Sequence, residues 1–171
     1  MNIDGFEIER KFLIRVPDLS YLRQNGEETE IEQTYLLPPA PQVNARVRKR
    51  GKDGCWVYTH TQKIRLSDLR RIEDEREVSE EEYRTLLEKA DPARKVIRKT
   101  RWVLPYRDQL FEIDLFPFWR DRAIMEIELI NEEQPVDFPP EIRIIREVTA
   151  DGRYTNSAMS KEIPMDEIEE E

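Results

Sequence analysis

Charged residues recur at every second position along most of the predicted strands, and this alternation constrains the fold more than any other feature. In one segment Glu112 and Asp114 alternate with Phe111, Ile113 and Leu115. Successive side chains of a strand point to opposite faces of a sheet. One face would therefore be almost wholly charged and the other apolar. A merely solvated face accepts Ser, Thr, Asn and Gln as readily as charges, so the pattern favours a charged face with a specific role.

The order of turn and strand signals predicts a largely antiparallel chain with few helices. Eight segments have strand character, roughly Glu7–Ile14, Glu30–Leu36, Ala45–Arg50, Cys55–Lys63, Arg71–Val78, Val96–Leu104, Gln109–Phe116 and Ala123–Ile130. Connections this short pair strands antiparallel, because a parallel pair needs a long crossover. One helix is predicted to open near Pro17, and a second after Ser79, which forms a capping box with Glu82. A third short helix is predicted near 156–162.

These elements predict a mostly β, α+β fold, an eight-stranded antiparallel barrel with helices packed on the outside. Eight strands can close and leave room for one small ligand. The apolar faces need a cover that the amphipathic helices can supply. A length of 171 residues suits a single domain spanning 1–171, with a core of about 6–161. The acidic tail, 166–171, is predicted to be frayed.

A charged barrel interior must be neutralised, because buried charges without partners are very costly. The acids assigned to this face are Glu7, Glu9, Glu73, Glu75, Glu77, Glu112, Asp114, Glu126 and Glu128. The bases are Lys11, Arg46, Arg48, Arg50, Lys63, Arg71, Lys99 and Arg101. Mutual ion pairing is one solution. A more specific one is a polyanion held by the bases and a hard cation, Mg²⁺ or Mn²⁺, held by the acids, which is the arrangement used in phosphoryl transfer.

Composition narrows the partners and the compartment. The net charge is −9, from 28 basic and 37 acidic residues, which argues against broad binding to nucleic acid or to an anionic membrane. Cys55 is the single cysteine, so a reducing compartment is expected. No apolar run approaches the roughly 20 residues of a membrane span. The segment Met1–Glu9 has no basic residue, which is unlike a signal peptide. A cytoplasmic location is predicted.

Seven short motifs occur in a fixed order along the chain. They are Glu7-Ile8-Glu9-Arg10-Lys11, Arg46-Val47-Arg48, Thr61-Gln62-Lys63, Glu73-Asp74-Glu75-Arg76-Glu77, Lys99-Thr100-Arg101, Phe111-Glu112-Ile113-Asp114 and Met125-Glu126-Ile127-Glu128. The first is the E-x-E-x-K signature, which carries little weight alone in a charge-rich protein. The ending, Glu147-Val148-Thr149 with Arg153-Tyr154-Thr155-Asn156-Ser157, belongs to the same series. As an ordered set over about residues 6–161, these motifs resemble the CYTH superfamily, also called triphosphate tunnel metalloenzymes.

The resemblance implies a tunnel-shaped barrel, dependence on Mg²⁺ or Mn²⁺, and a small triphosphate-bearing substrate whose terminal phosphate is released. It implies triphosphate binding by Lys11, Arg46, Arg48, Lys63, Lys99 and Arg101, with Lys161 a further candidate. It implies metal binding by Glu7, Glu9, Asp114, Glu126 and Glu128. The expected catalytic set is Glu7, Glu9, Lys11, Glu73 and Glu75, with Glu77 a further candidate for orienting water.

Two other functions are compatible with the same lining. A class IV adenylyl cyclase would share the tunnel but would also need to hold an adenine, and no segment is typical of an adenine pocket. A non-catalytic module binding polyphosphate or nucleotide would keep the bases without needing the acids, whereas this chain has both. The expected substrate is inorganic triphosphate or a small organic or nucleoside triphosphate. Nothing in the sequence specifies an oligomeric state.

Overall fold

The computed structural model describes residues 8–66 and 71–169. The strands are β1 Ile8–Arg15, β2 Glu27–Tyr35, β3 Val43–Lys52, β4 Cys55–Arg65, β5 Arg71–Val78, β6 Ile97–Tyr106, β7 Gln109–Leu115, β8 Arg122–Leu129 and β9 Ile144–Glu147. The α-helices are α1 Leu19–Asn25, α2 Glu80–Leu87 and α3 Asn156–Met159, with a 3₁₀ turn at Gly152–Tyr154. The described chain is therefore mostly antiparallel β with few helices, as predicted.

All eight predicted strands are present, and local chemistry explains the β3–β4 turn and the start of α2. Lys52 pairs with Cys55 across the two-residue turn Asp53-Gly54, where both residues have positive φ, as a type I′ hairpin requires. The side chain of Ser79 accepts a hydrogen bond from the backbone N–H of Glu82, which confirms the predicted start of α2. The ninth strand, β9, was not predicted, because its four residues are too few to show an alternation.

Contacts divide the chain into two compact units, which are described separately. The first comprises the described parts of 1–29, 99–154 and 165–171. Its strands run in the order β6-β7-β8-β1-β9. Phe12, Trp102, Phe111 and Met125 lie in the apolar core on one face of these strands, and Leu22 of α1 packs into the same core. Helix α1 therefore covers the apolar face, as the sequence predicts for an amphipathic helix.

The second unit comprises the described parts of 30–98 and 155–164. Its strands run in the order β5-β4-β3-β2. Helix α2 packs Tyr83 against a smaller core that contains Ala45, Val47 and Val78. The rings of Tyr58 and Tyr83 lie 4.8 Å apart. Each unit thus has an apolar face covered by its own helix, which leaves the opposite strand face for polar side chains.

Two expectations from the sequence differ from the structure. Strands β5 and β9 each have one hydrogen-bonded neighbour among the described strands, so closure into a barrel is not confirmed. The acidic tail was predicted to be frayed, and this is wrong for 166–169, where arginine side chains hold the segment. Residues 170 and 171 lie outside the described residues. The single-domain assignment stays a prediction.

Within the described segments, no helix is both long enough and apolar enough to span a membrane.

Candidate functional site

The strand register places the predicted charged residues of the first unit on one face. Lys11 of β1 lies opposite Glu126 of β8, and Glu9 lies opposite Glu128. Arg101 of β6 lies opposite Asp114 of β7. Residues directly opposite in an antiparallel pair share a face, so these side chains line the face away from the apolar core.

The most buried part of this charged face is an ion network around Asp114. Lys99 Nζ donates to Asp114 Oδ2 at 2.8 Å, and Arg101 Nε donates to Asp114 Oδ1 at 2.8 Å. The side chains of Lys99 and Asp114 are 0% and 3% exposed. Burial by itself raises the pKa of Asp114, but the charges and hydrogen bonds of Lys99 and Arg101 hold it well below its usual range. Asp114 is therefore a buried anion that fixes two predicted phosphate-binding cations.

The guanidinium of Arg101 is shared between two carboxylates. It donates to Asp114 through Nε and Nη2, and Nη1 forms an ion pair with Glu112. Burial by itself lowers the pKa of Arg101, but the hydrogen bonds and charge of Asp114 raise it above its ordinary value. Its orientation is thus set by fixed acceptors before any ligand binds.

Elsewhere on this charged face, carboxylates of β1, β7 and β8 lie opposite one another on neighbouring strands. Glu9 lies opposite Glu128, and Glu112 lies opposite Glu126. All four line a cavity of about 350 Å³. Lys11 Nζ lies 3.4 Å from Glu126 Oε1 and offsets part of the negative charge. Like charges directly opposite on neighbouring strands are unfavourable, so the arrangement suits a bound cation.

No three histidine, cysteine or carboxylate side chains converge closely enough to hold a metal ion in the part of the chain that is described. Of the predicted metal ligands, Asp114 has both carboxylate oxygens engaged by Lys99 and Arg101. Glu9, Glu126 and Glu128 are brought to neighbouring strands. Glu7 lies outside the described residues, and its assignment stays a prediction.

The second unit brings six predicted site residues onto one face of β3, β4 and β5, namely Arg46, Arg48, Lys63, Glu73, Glu75 and Glu77. Arg46 lies opposite Thr61, which in turn lies opposite Glu75. Lys63 lies opposite Glu73. Thr61 is buried and donates from Oγ1 to Glu75 Oε1 at 2.8 Å. Glu73, Glu75 and Lys63 are exposed in this arrangement, so they are accessible to a solute at this face.

Arg46 carries a buried donor without an acceptor. Its Nε atom is inaccessible to solvent and has no hydrogen-bond partner among the described residues. Arg46 lines a small cavity of about 40 Å³ together with Tyr35, Asn44, Lys63 and Ser157. Leaving a buried donor unpaired costs roughly 1–3 kcal/mol, so each such group in a folded protein needs an explanation. An anionic ligand oxygen would satisfy it.

A polar relay that the sequence reasoning missed positions Arg48. Gln33 is fully buried, and its Oε1 accepts from Arg48 Nε at 3.1 Å and from Nη2 at 2.9 Å. Its Nε2 donates to the hydroxyl of Tyr35 at 2.7 Å. The guanidinium of Arg94 lies 3.9 Å from the centre of the Tyr35 ring. The amide of Gln33 therefore fixes both Arg48 and Tyr35.

The signal for this relay was present in the alternation of β2. Gln33 and Tyr35 lie opposite Arg48 and Arg46, on the charged face. Glu32 points to the other face, where Arg98 lies 2.9 Å from its carboxylate. A search guided by charge alone therefore selects the wrong face of this strand. Arg94 lies in a loop, where no periodicity could indicate it.

The comparisons with known proteins agree with one another. The inorganic triphosphatase of Nitrosomonas europaea is 32% identical over 163 residues, which cover 92% of this chain and 99% of that protein. The crystal structure of the inorganic triphosphatase NE1496 has a TM-score of 0.66 at 30% identity, and the match covers 93% of this chain and 97% of that one. The structure of the PH1012 protein from Pyrococcus horikoshii OT3 has a TM-score of 0.50 at 26% identity, covering 75% and 80%. No protein-family model matches the chain. Since the similarity extends over nearly the whole of both chains, this chain belongs to the family of the Nitrosomonas europaea inorganic triphosphatase.

Proposed function

We propose that the chain is a divalent-metal-dependent triphosphatase that releases the terminal phosphate of inorganic triphosphate or of a small organic or nucleoside triphosphate. Membership of the family of an inorganic triphosphatase supports the reaction class. The observation that carries the proposal is the buried, unpartnered Nε of Arg46 beside Lys63. A phosphate oxygen supplies the acceptor that this donor lacks, in a charge-assisted hydrogen bond.

The bases of each unit are assigned to the phosphate groups. In the second unit these are Arg46, Arg48 and Lys63, and in the first unit they are Lys11, Lys99 and Arg101. Asp114 and Gln33 are positioning residues in this proposal, because they hold Arg101 and Arg48 through hydrogen bonds already made. Catalysis of phosphoryl transfer depends mainly on such positioning and on charge neutralisation.

The carboxylates are assigned to the metal and to the attacking water. Glu9, Glu126 and Glu128, with Glu7, would hold Mg²⁺ or Mn²⁺, since an all-oxygen donor set suits a hard cation. When bound, such an ion would neutralise part of the phosphate charge and lower the pKa of a water molecule bound to it. Glu75, oriented by Thr61, is proposed to position the attacking water and accept its proton. The water oxygen bonds to the terminal phosphorus, and the bond from that phosphorus to the bridging oxygen breaks.

The closed tunnel of the CYTH superfamily remains part of the proposal and rests on the ordered motifs. A cytoplasmic location is proposed as well, supported by the single cysteine of the chain. The negative net charge supports a small anionic substrate bound by a local basic cluster rather than nucleic acid.

The test is an activity screen with matched variants. Purified protein is incubated with inorganic triphosphate, ATP, GTP and thiamine triphosphate, each with Mg²⁺ or Mn²⁺, and phosphate, pyrophosphate and cyclic nucleotide are measured. We expect phosphate release that is strongest with one triphosphate and absent in EDTA. Cyclic AMP with pyrophosphate would instead indicate a cyclase, and tight binding without turnover a binding module.

Arg46→Gln and Glu9→Gln should each reduce turnover at least about 100-fold, the order lost with one preorganised charge-stabilising donor. Glu80→Gln is the matched control, because Glu80 lies on α2 in an exposed pair with Arg84. Full turnover by Glu9→Gln would overturn the assignment of the charged face of the first unit, and full turnover by Arg46→Gln that of the second unit.

A further inference from the structure

The C-terminal segment Asp166–Glu169 lies along a row of arginines in the first unit. The carboxylate of Asp166 accepts from Arg153 Nη1 at 3.0 Å and Nη2 at 2.9 Å, and from Arg146 Nη2 at 3.3 Å. Arg122 Nη1 donates to the backbone carbonyl of Asp166 at 2.6 Å. Arg15 Nη2 donates to the carbonyl of Glu169 at 2.8 Å. The segment thus accepts hydrogen bonds from four guanidinium groups.

Three of these arginines, Arg15, Arg122 and Arg146, border a cavity separate from the candidate active site. The cavity is about 630 Å³ and is lined by Arg15, Arg122, Arg143 and Arg146 together with the C-terminal segment. Leu13 and Ile124 are buried and lie opposite each other. They are two residues along their strands from Arg15 and Arg122, and therefore on the same face. Lys11 and Glu126 lie two residues further along the same strands, again on this face. An apolar layer therefore separates the two charged regions.

The arginine pair at the edge of this cavity is poorly matched by the segment. Arg15 and Arg122 lie directly opposite each other on β1 and β8, and like charges in that position are unfavourable. The segment offers them neutral carbonyl oxygens, whereas its carboxylate from Asp166 goes to Arg146 and Arg153. Asp121 neutralises Arg122 through two hydrogen bonds. A ligand with anionic groups along its length would form charge-assisted hydrogen bonds at both ends of the row.

We propose that this row is a second anion-binding site, for a linear polyanion such as short-chain inorganic polyphosphate, and that Asp166–Glu169 occupies it as an internal competitor. The acceptors from Asp166 to Glu169 span at most about 10 Å, the reach of three extended residues. A linear chain of several phosphates is long enough to contact the arginines at both ends of the row, whereas a single phosphate can contact those at one end only. The site is independent of the proposed function, since none of its arginines belongs to the active-site assignment.

The first experiment follows the C-terminal segment in the full native chain. Hydrogen exchange of residues 165–169 is measured in EDTA with and without inorganic tripolyphosphate. Exchange should rise at least about tenfold on addition of tripolyphosphate and should be unchanged by NaCl at equal ionic strength. Equal release by NaCl, or no release by tripolyphosphate, would overturn the proposal, because the segment would then be only a salt-sensitive or permanent part of the fold.

The second experiment uses calorimetric titration of tripolyphosphate in EDTA with charge-matched variants. Asp166→Asn should bind at this site at least about tenfold more tightly than the native chain. Glu167→Gln, which removes the same charge one residue away, should bind as the native chain does. Adding Arg15→Gln to Asp166→Asn should abolish this binding event, and adding Lys11→Gln should leave it. Loss with Lys11→Gln but not with Arg15→Gln would assign the event to the candidate active site and refute the second site.

Discussion

Replacing Asp114 by asparagine removes the carboxylate that Lys99 and Arg101 share. The side chains of these two cations are 0% and 10% exposed, so neither is well solvated in the folded protein. Breaking a buried ion pair by removing one partner costs about 3–5 kcal/mol, because a buried charge is left uncompensated. Asparagine keeps one acceptor oxygen, so we expect the free energy of unfolding to fall by about 3 kcal/mol, the lower end of that range.

The assay is urea unfolding in EDTA, which removes any contribution of a bound metal. For a chain of this size 1 kcal/mol shifts the Tm by about 2–4 °C, so a parallel thermal scan should show a decrease of roughly 10 °C. Glu80→Gln, which breaks an exposed pair with Arg84, is the charge-matched control and should cost about 0.5 kcal/mol or less. Lys99→Met in the Asp114→Asn background should recover part of the loss, since it removes the stranded cation.

The same variant separates two roles of Asp114 in activity. A positioning role predicts a higher KM for the triphosphate with little change in the metal concentration needed for half-maximal rate. A role as a metal ligand predicts that a higher metal concentration is needed for the half-maximal rate, with little change in the KM for the triphosphate. A decrease in the free energy of unfolding below about 1 kcal/mol would refute the reasoning, because it would mean that Lys99 and Arg101 do not depend on this carboxylate.

Two further predictions concern the relay and the C-terminal segment. Gln33→Leu should lower the free energy of unfolding by about 1–3 kcal/mol and raise the KM for triphosphate more than it lowers kcat, because Arg48 and Tyr35 lose a buried partner; unchanged kinetics would contradict the positioning role. The hydrogen bonds of Arg153, together with the charges of Arg153 and Arg146, lower the pKa of Asp166, while desolvation and the repulsion of Asp151 act against this. Because the folded pKa is depressed, the ion pairs of Asp166 with Arg153 and Arg146 should persist above pH 3.8 and be lost only as the pH falls through the lowered pKa. An NMR titration of the Asp166 carboxyl carbon should therefore give a midpoint below pH 3.8, which Arg153→Gln raises; a midpoint at or above pH 3.8 in the native chain would disprove these ion pairs.

Local rules were sufficient for most of the elements and for the charged face. Alternation with a period of two depends only on backbone geometry, so Lys11, Arg101 and Asp114 could be placed on one face without knowing their neighbours. The Ser79 cap was predictable because its hydrogen bond joins residues three apart. Strand β9 was missed because a four-residue strand is defined by its pairing with β1 and not by its own pattern.

The candidate site was predictable by residue type and not by contact. Motif order selected Arg46 and Arg48, but it gave no reason to select Gln33, whose amide joins Arg48 to Tyr35 across neighbouring strands. The assignment of Asp114 to metal stays a prediction; its motif did not indicate that both of its oxygens accept hydrogen bonds from Lys99 and Arg101. Such partner choices depend on which strands are adjacent.

The sequence by itself determined the strand periodicity, the turn positions, the charged face and the family resemblance, because each follows from residues close together or from motifs in order. The tertiary structure decided which opposite charges meet, which donors are left unsatisfied and where the C-terminal segment lies. Arg15, near the start of the chain, and Asp166, near its end, border the same cavity. Contacts of that kind arise when strands pair and segments pack, and no local pattern in the chain encodes them.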